Sequence, residues 1–124
     1  MFAAGNAIKK SPDVGSINIP FKTFHNSNPI TGGGYLILPT SPIAAGHKVP
    51  VVIIMHGSRG VTEEHEYAYA HKLAKIGVAS FVVDSFTPRG VIATHNNQKQ
   101  ISINEMLYDA FTALETLGAH PRID

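Results

Sequence analysis

Hydrophobic positions along this chain change period twice, and each change marks a new kind of element. From Val14 to Phe24, the residues Ile17, Ile19, Phe21 and Thr23 alternate with polar or small neighbours. That period of two predicts a half-buried strand, and Pro20 within it points to an edge strand or a bulge. Asn26-Ser27-Asn28-Pro29 is a turn cluster, and Gly32 to Pro39 predicts a second strand antiparallel to the first. Thr40 to Lys48, with Pro42 and Gly46, reads as a surface connection. Val49 to Met55 is then a continuous apolar, β-branched run, the pattern of a strand covered on both faces.

Beyond Met55 the period lengthens. Thr62 to Ile76 predicts a helix capped by Thr62, with Glu63 and Glu64 in its first turn and Gly77 at its end. Its apolar stripe is Tyr69, Leu73 and Ile76, with Ala70 beside them. Val78 to Val83 is another buried strand, so the three elements form a βαβ unit. Thr87 to Ser102 is a long polar connection containing Pro88-Arg89-Gly90. A second helix is expected from an Asn104 cap to Gly118, with Leu107, Ala110, Phe111, Leu114 and Leu117 as its buried stripe. His120 to Asp124 looks like the lead-in to a further strand. The expected architecture is α/β, ordered β-β-β-α-β-α, with an antiparallel start followed by parallel strands and flanking helices. Residues 1–13 are expected to be a terminal arm, and 14–124 the amino-terminal part of one domain.

Composition narrows the possibilities modestly. A length of 124 residues, 44% hydrophobic and 15% charged, is that of an ordinary globular domain. The net charge is +1 and no basic cluster exceeds Lys9-Lys10, so nucleic acid is not an expected partner. No cysteine is present, which excludes disulfides, thiolate metal sites and a Cys nucleophile within these residues. The longest apolar run is too short to span a bilayer, and Met1 to Ala7 lacks the charged and apolar regions of a signal peptide. A soluble, cytoplasmic protein is expected, with a periplasmic or secreted location left open.

The candidate chemistry lies where predicted parallel strands end, the usual ligand-binding side of open α/β sheets. Two such ends are His56-Gly57-Ser58-Arg59-Gly60 and Asp84-Ser85-Phe86-Thr87-Pro88-Arg89. Glycines after a buried strand let the backbone turn sharply and aim amide N–H groups at a developing oxyanion, each worth about 3–4 kcal/mol of transition-state stabilisation. A plain strand-to-helix turn would carry the same spacing. No Gly-x-Ser-x-Gly motif accompanies this loop anywhere in the chain.

The His-Gly-Ser-Arg-Gly loop, the segment Val82-Val83-Asp84-Ser85-Phe86-Thr87-Pro88-Arg89-Gly90 and the terminal Pro-Arg-Ile-Asp together resemble the dienelactone hydrolase family of the α/β-hydrolase fold. The resemblance covers residues 14–124 and the amino-terminal half of that fold. It implies that Ser58 donates its backbone N–H to the oxyanion and that His56 orients the loop. It also implies that Arg89 binds a substrate carboxylate, the alternatives being a surface arginine or one paired with Asp84. Asp84 is expected to fix its loop by accepting hydrogen bonds.

In this fold the nucleophile elbow, acid and histidine come after the region covered here, and none has a matching position. The expectation is therefore the amino-terminal portion of a carboxylic ester or lactone hydrolase, inactive by itself, acting on a small-molecule ester or lactone when complete. The alternative is a noncatalytic binding module of 124 residues that self-associates through the bare strand 49–55. A nucleotide- or anion-binding βαβ domain is a third reading, weakened by the absence of a P-loop lysine. No cofactor and no metal are expected. His65 and His71 stand six residues apart, about 600° of helical rotation, and do not share a face as zincin histidines do.

Overall fold

The computed structural model describes residues 16–39, 48–92, 94 and 100–124. The expected terminal arm 1–13 and most of the connection 40–48 lie outside the described residues. Four strands form one sheet in the order β1-β2-β4-β3: β1 is Ser16–His25, β2 Asn28–Ile37, β3 Val51–Met55 and β4 Ala79–Val83. The pairs β1/β2 and β2/β4 are antiparallel, and β3/β4 is parallel. Helix α1 (Ala68–Lys75) and helix α2 (Ile103–Gly118) cover the sheet. The expected class and strand succession are those observed.

The hairpin is tighter than the turn cluster suggested. Asn26 and Ser27 both have positive φ, and His25 pairs directly with Asn28, so β2 begins four residues earlier than expected. Two left-handed residues match the twist of paired strands, and asparagine tolerates that conformation. Pro20 sits on β1, an edge strand, where a missing N–H is tolerated. Gly34 marks where β2 crosses β4. A Cβ there would lie 2.4 Å from the Val82 carbonyl oxygen and 2.8 Å from the Phe81 ring.

Two apolar layers flank the sheet. Phe21, Leu36, Phe81 and Val83 pack with Ala113 and Leu117 of α2, while Ile37 and Val82 pack with Tyr67, Ala70 and Ala74 on the α1 side. Full burial of each large side chain contributes about 1.5–3 kcal/mol.

Helix α2 presents a different face to the sheet from the one expected, and α1 matches its expected stripe in part. The segment 63–67 is a π turn, closed by a bond from the Tyr67 N–H to the Thr62 carbonyl. The extra residue of a π turn rotates the remainder of the helix by about 100°. Ala70 and Ala74 are buried against the sheet and Leu73 is half-buried, while Tyr69 and Ile76 (72% accessible) border an apolar groove beside β3.

In α2 the buried positions are Glu105, Asp109, Ala113 and Leu117, and the cap is Ser102, not Asn104. Leu107, Phe111 (69% accessible) and Leu114 are exposed. Of the expected stripe, Leu117 is fully buried and Ala110 half-buried. Buried cationic and hydrogen-bonding groups on the sheet side draw the two carboxylates inward, and the phase of the helix is set by them.

The strand β3 lies at the sheet's other edge. Just before it, Val49 forms a parallel bridge with Ile123. The Val49 N–H donates to the Arg122 carbonyl and the Asp124 N–H to the Val49 carbonyl, both at 2.9 Å.

Candidate active site

The parallel strands β3 and β4 end side by side, and His56 joins their two loops. Its Nε2 accepts a hydrogen bond from the Ser85 N–H at 2.9 Å. Because Nε2 accepts, the ring carries its proton on Nδ1, which donates to the Gly57 carbonyl at 2.9 Å. The ring is buried and stands edge-on to Phe86. Asp84, also buried, accepts from the N–H groups of Phe86 and Thr87 and so caps the short turn Thr87–Arg89.

The Gly57 carbonyl takes a second bond from the Gly60 N–H at 3.1 Å, and Gly60 has a φ of 78°, a conformation that favours glycine. The Gly57–Ser58 peptide is thus gripped at its oxygen from two sides. In a trans peptide the N–H points opposite to the C=O, so the Ser58 N–H is turned away from both grips. The Ser58 carbonyl is held in turn by the Thr94 N–H at 2.7 Å. Among the described residues nothing accepts from the Ser58 N–H.

Gly57 and Ser58 line two cavities. One, of about 350 Å³, is completed by His56, Phe86, Thr94, Ile101, Ile103 and Met106. The other, of about 280 Å³, is bounded by Arg59, Gly60, His65, Glu66 and Tyr69.

Arg89 lines neither cavity. It is buried in the interior, where its Nη1 and Nη2 donate to Asp109 at 2.6 and 3.0 Å. Further bonds run to the Ser85 carbonyl, the Phe24 carbonyl and Thr23 Oγ1. The guanidinium expected to contact substrate is bonded within the protein here, and its carboxylate partner is Asp109 instead of Asp84. Thr23 and Ser85 also donate to Asp109. Glu105 lies close by and accepts from the Asn26 N–H, the Ser102 N–H and His25.

Sequence reasoning misses Asp109 and Glu105, although a signal for them is present. Two carboxylates at i and i+4 share a helix face, and an arginine close after a buried strand, if enclosed, needs a buried anion. Among the described residues no cluster of three or more His, Asp or Glu is placed to hold a metal ion. None of the described helices is long and apolar enough to cross a membrane.

No family model and no curated protein matches the chain in sequence. Solved structures do match in fold. Est1E from Butyrivibrio proteoclasticus superposes with a TM-score of 0.59 at 20% identity, over 84% of this chain and 37% of its own. The esterase Est22 gives 0.58 at 18% identity, over 91% of this chain and 33% of its own. An acylaminoacyl peptidase gives 0.55 at 22% identity, over 88% and 17%. The chain therefore spans well under half the length of each of these structures. Its four-stranded sheet and flanking helices are those of part of an α/β-hydrolase fold.

Proposed function

We propose that this chain is the oxyanion-loop portion of a dienelactone-hydrolase-like carboxylic ester or lactone hydrolase. The observation that carries the reading is the Gly57–Ser58 peptide. Its oxygen is fixed by His56 and Gly60, and its N–H has no acceptor among the described residues. A donor held in place before the reaction stabilises a developing oxyanion without paying for reorganisation at the transition state. Ser58 acts through its backbone N–H, and His56 is a positioning residue.

In this reading the nucleophile (Ser or Cys), the acid and the catalytic histidine come from residues outside these 124, and the chain alone is inactive. The bridge between Val49 and Ile123 supports that reading. Its parallel direction is the one a further strand would need to run along the open edge of Val51–Met55.

The test is ester hydrolysis by the native gene product. Ser58→Pro, which removes the N–H, is expected to lower kcat about 10²–10³-fold, whereas Ser58→Ala retains activity. Equal activity of the two variants would overturn the role of Ser58.

A second reading is a noncatalytic module that self-associates through β3. It is favoured by the apolar groove of about 500 Å³ along that edge, lined by Val52, Ile54, Tyr69, Leu73 and Ile76 among others. Intact mass and sedimentation of the native gene product separate the two. A mass near 13.3 kDa with a dimer favours self-association, and a mass about twice that favours the hydrolase.

A further inference from the structure

The two cavities that meet at Ser58 differ in charge. Arg59, His65 and Glu66 bound one of them. The other carries no charged side chain among its described lining residues. Phe86 and Ile101 are buried there with Val91 and pack against Met106 as a small apolar cluster. His56 contributes only the edge of a ring whose two nitrogens are already bonded.

We propose that this second cavity takes the uncharged, apolar arm of the ester, with Phe86, Ile101 and Met106 as specificity-determining residues. The proposal rests on the hydrolase reading of Ser58 and names the substrate class of that same site. An anionic arm placed here would lose its hydration and meet no counter-charge among the described lining residues. Arg89 follows Phe86 by three residues, but it cannot swing toward the cavity without leaving Asp109 buried without its counter-charge. The apolar wall instead rewards every methylene it removes from water, by about fourfold in affinity.

The test uses the native gene product with labelled methionine methyl groups and two ketones that cannot be hydrolysed, methyl hexyl ketone and levulinate. Both carry the acyl carbonyl, but only levulinate ends in a carboxylate. The Met106 methyl resonance is expected to shift saturably with methyl hexyl ketone, and at least about tenfold more weakly with levulinate. Met55, in the separate groove along β3, serves as the control for indiscriminate apolar binding. A Met106 response to levulinate as strong as that to methyl hexyl ketone overturns the proposal, and so does no response to either.

The readout does not depend on turnover. If Met106 responds as expected but no ester is hydrolysed, the binding proposal stands and the hydrolase reading falls. If esters are hydrolysed, kcat/KM is expected to rise about fourfold per added acyl methylene until the cavity is full, and a flat series overturns the apolar assignment.

Discussion

Two polar regions of this chain meet at Ser85, which bonds to both His56 and Arg89, and they are built in opposite ways. Around Arg89, each guanidinium nitrogen finds an acceptor, and Asp109, Thr23, Ser85 and the Phe24 carbonyl are tied into one buried network. At Gly57–Ser58 the carbonyl is doubly satisfied, yet the adjoining N–H finds no acceptor among the described residues. A polar group paired inside the protein holds the fold together. One kept in place and unpaired is available to a substrate. The contrast explains why Arg89, the more conspicuous residue in the sequence, belongs to the framework, while the inconspicuous backbone of Ser58 is the better candidate for chemistry.

The largest effect is expected from breaking the paired region. Arg89→Ala leaves the Asp109 carboxylate buried without its counter-charge and should destabilise the protein by about 3–5 kcal/mol, read by urea denaturation. Replacing both partners (Arg89→Met with Asp109→Leu) should recover part of that loss, because the desolvation cost of the pair disappears with it. Recovery stays incomplete, since Thr23 and Ser85 also lose their acceptor. A single variant as stable as the parent would show that the network is dispensable.

The junction of the two regions comes next. His56→Ala removes the acceptor of the buried Ser85 N–H and one grip on the Gly57 carbonyl. The first loss should cost about 1–3 kcal/mol. The second should lower kcat on the order of 10²-fold through misplacement of the Ser58 N–H. Stability lost with activity retained would mean that Gly60 alone aims the peptide.

The same contrast separates features readable in the chain from those that are not. Strand succession and the His-Gly-x-x-Gly loop are readable, because buried β-branched runs and glycine turns are local patterns. The helix faces are not. On α2, Leu107, Phe111 and Leu114 make the stronger local stripe, but the face that docks is set by Glu105 and Asp109 meeting groups 20 or more residues away, as with Arg89 and His25. On α1, Tyr69, Leu73 and Ile76 do lie together, but along an open groove beside β3, while Ala70 and Ala74 make the close contact with the sheet. The α2 error comes from tertiary partners overriding a periodicity that assumes a purely apolar interface. Glu105 joins local and distant partners in its acidity.

Burial of Glu105 would by itself raise its carboxyl. The Ser102 and Asn26 N–H groups, His25 and the charge of Arg89 together outweigh that and hold it below the ordinary value of 4.5. A carboxyl lowered by folding contributes stability that is fully present above 4.5 and is lost as pH falls through the folded value. Acid titration of stability should therefore show a step below that pH that is missing in Glu105→Gln. An unchanged acid profile in that variant would mean the step belongs to other carboxylates, and the paired region would owe its acid sensitivity elsewhere.

The smallest effect is expected on the face where sequence and structure disagree most. Phe111 projects from α2 with 69% of its surface accessible, on the opposite side from Asp109 and Ala113. If the polar face docks, Phe111→Lys replaces one exposed side chain by another with a slightly better helix propensity, and stability should stay within about 0.5 kcal/mol of the parent. If the apolar stripe were the docking face, the same change would bury a charge and cost several kcal/mol. Ala113→Lys reverses the logic, because Ala113 is fully buried against Phe81 and Leu117. A tolerant Phe111 beside an intolerant Ala113 in one denaturation series would fix the rotation of α2, and with it the placement of Asp109 beneath Arg89.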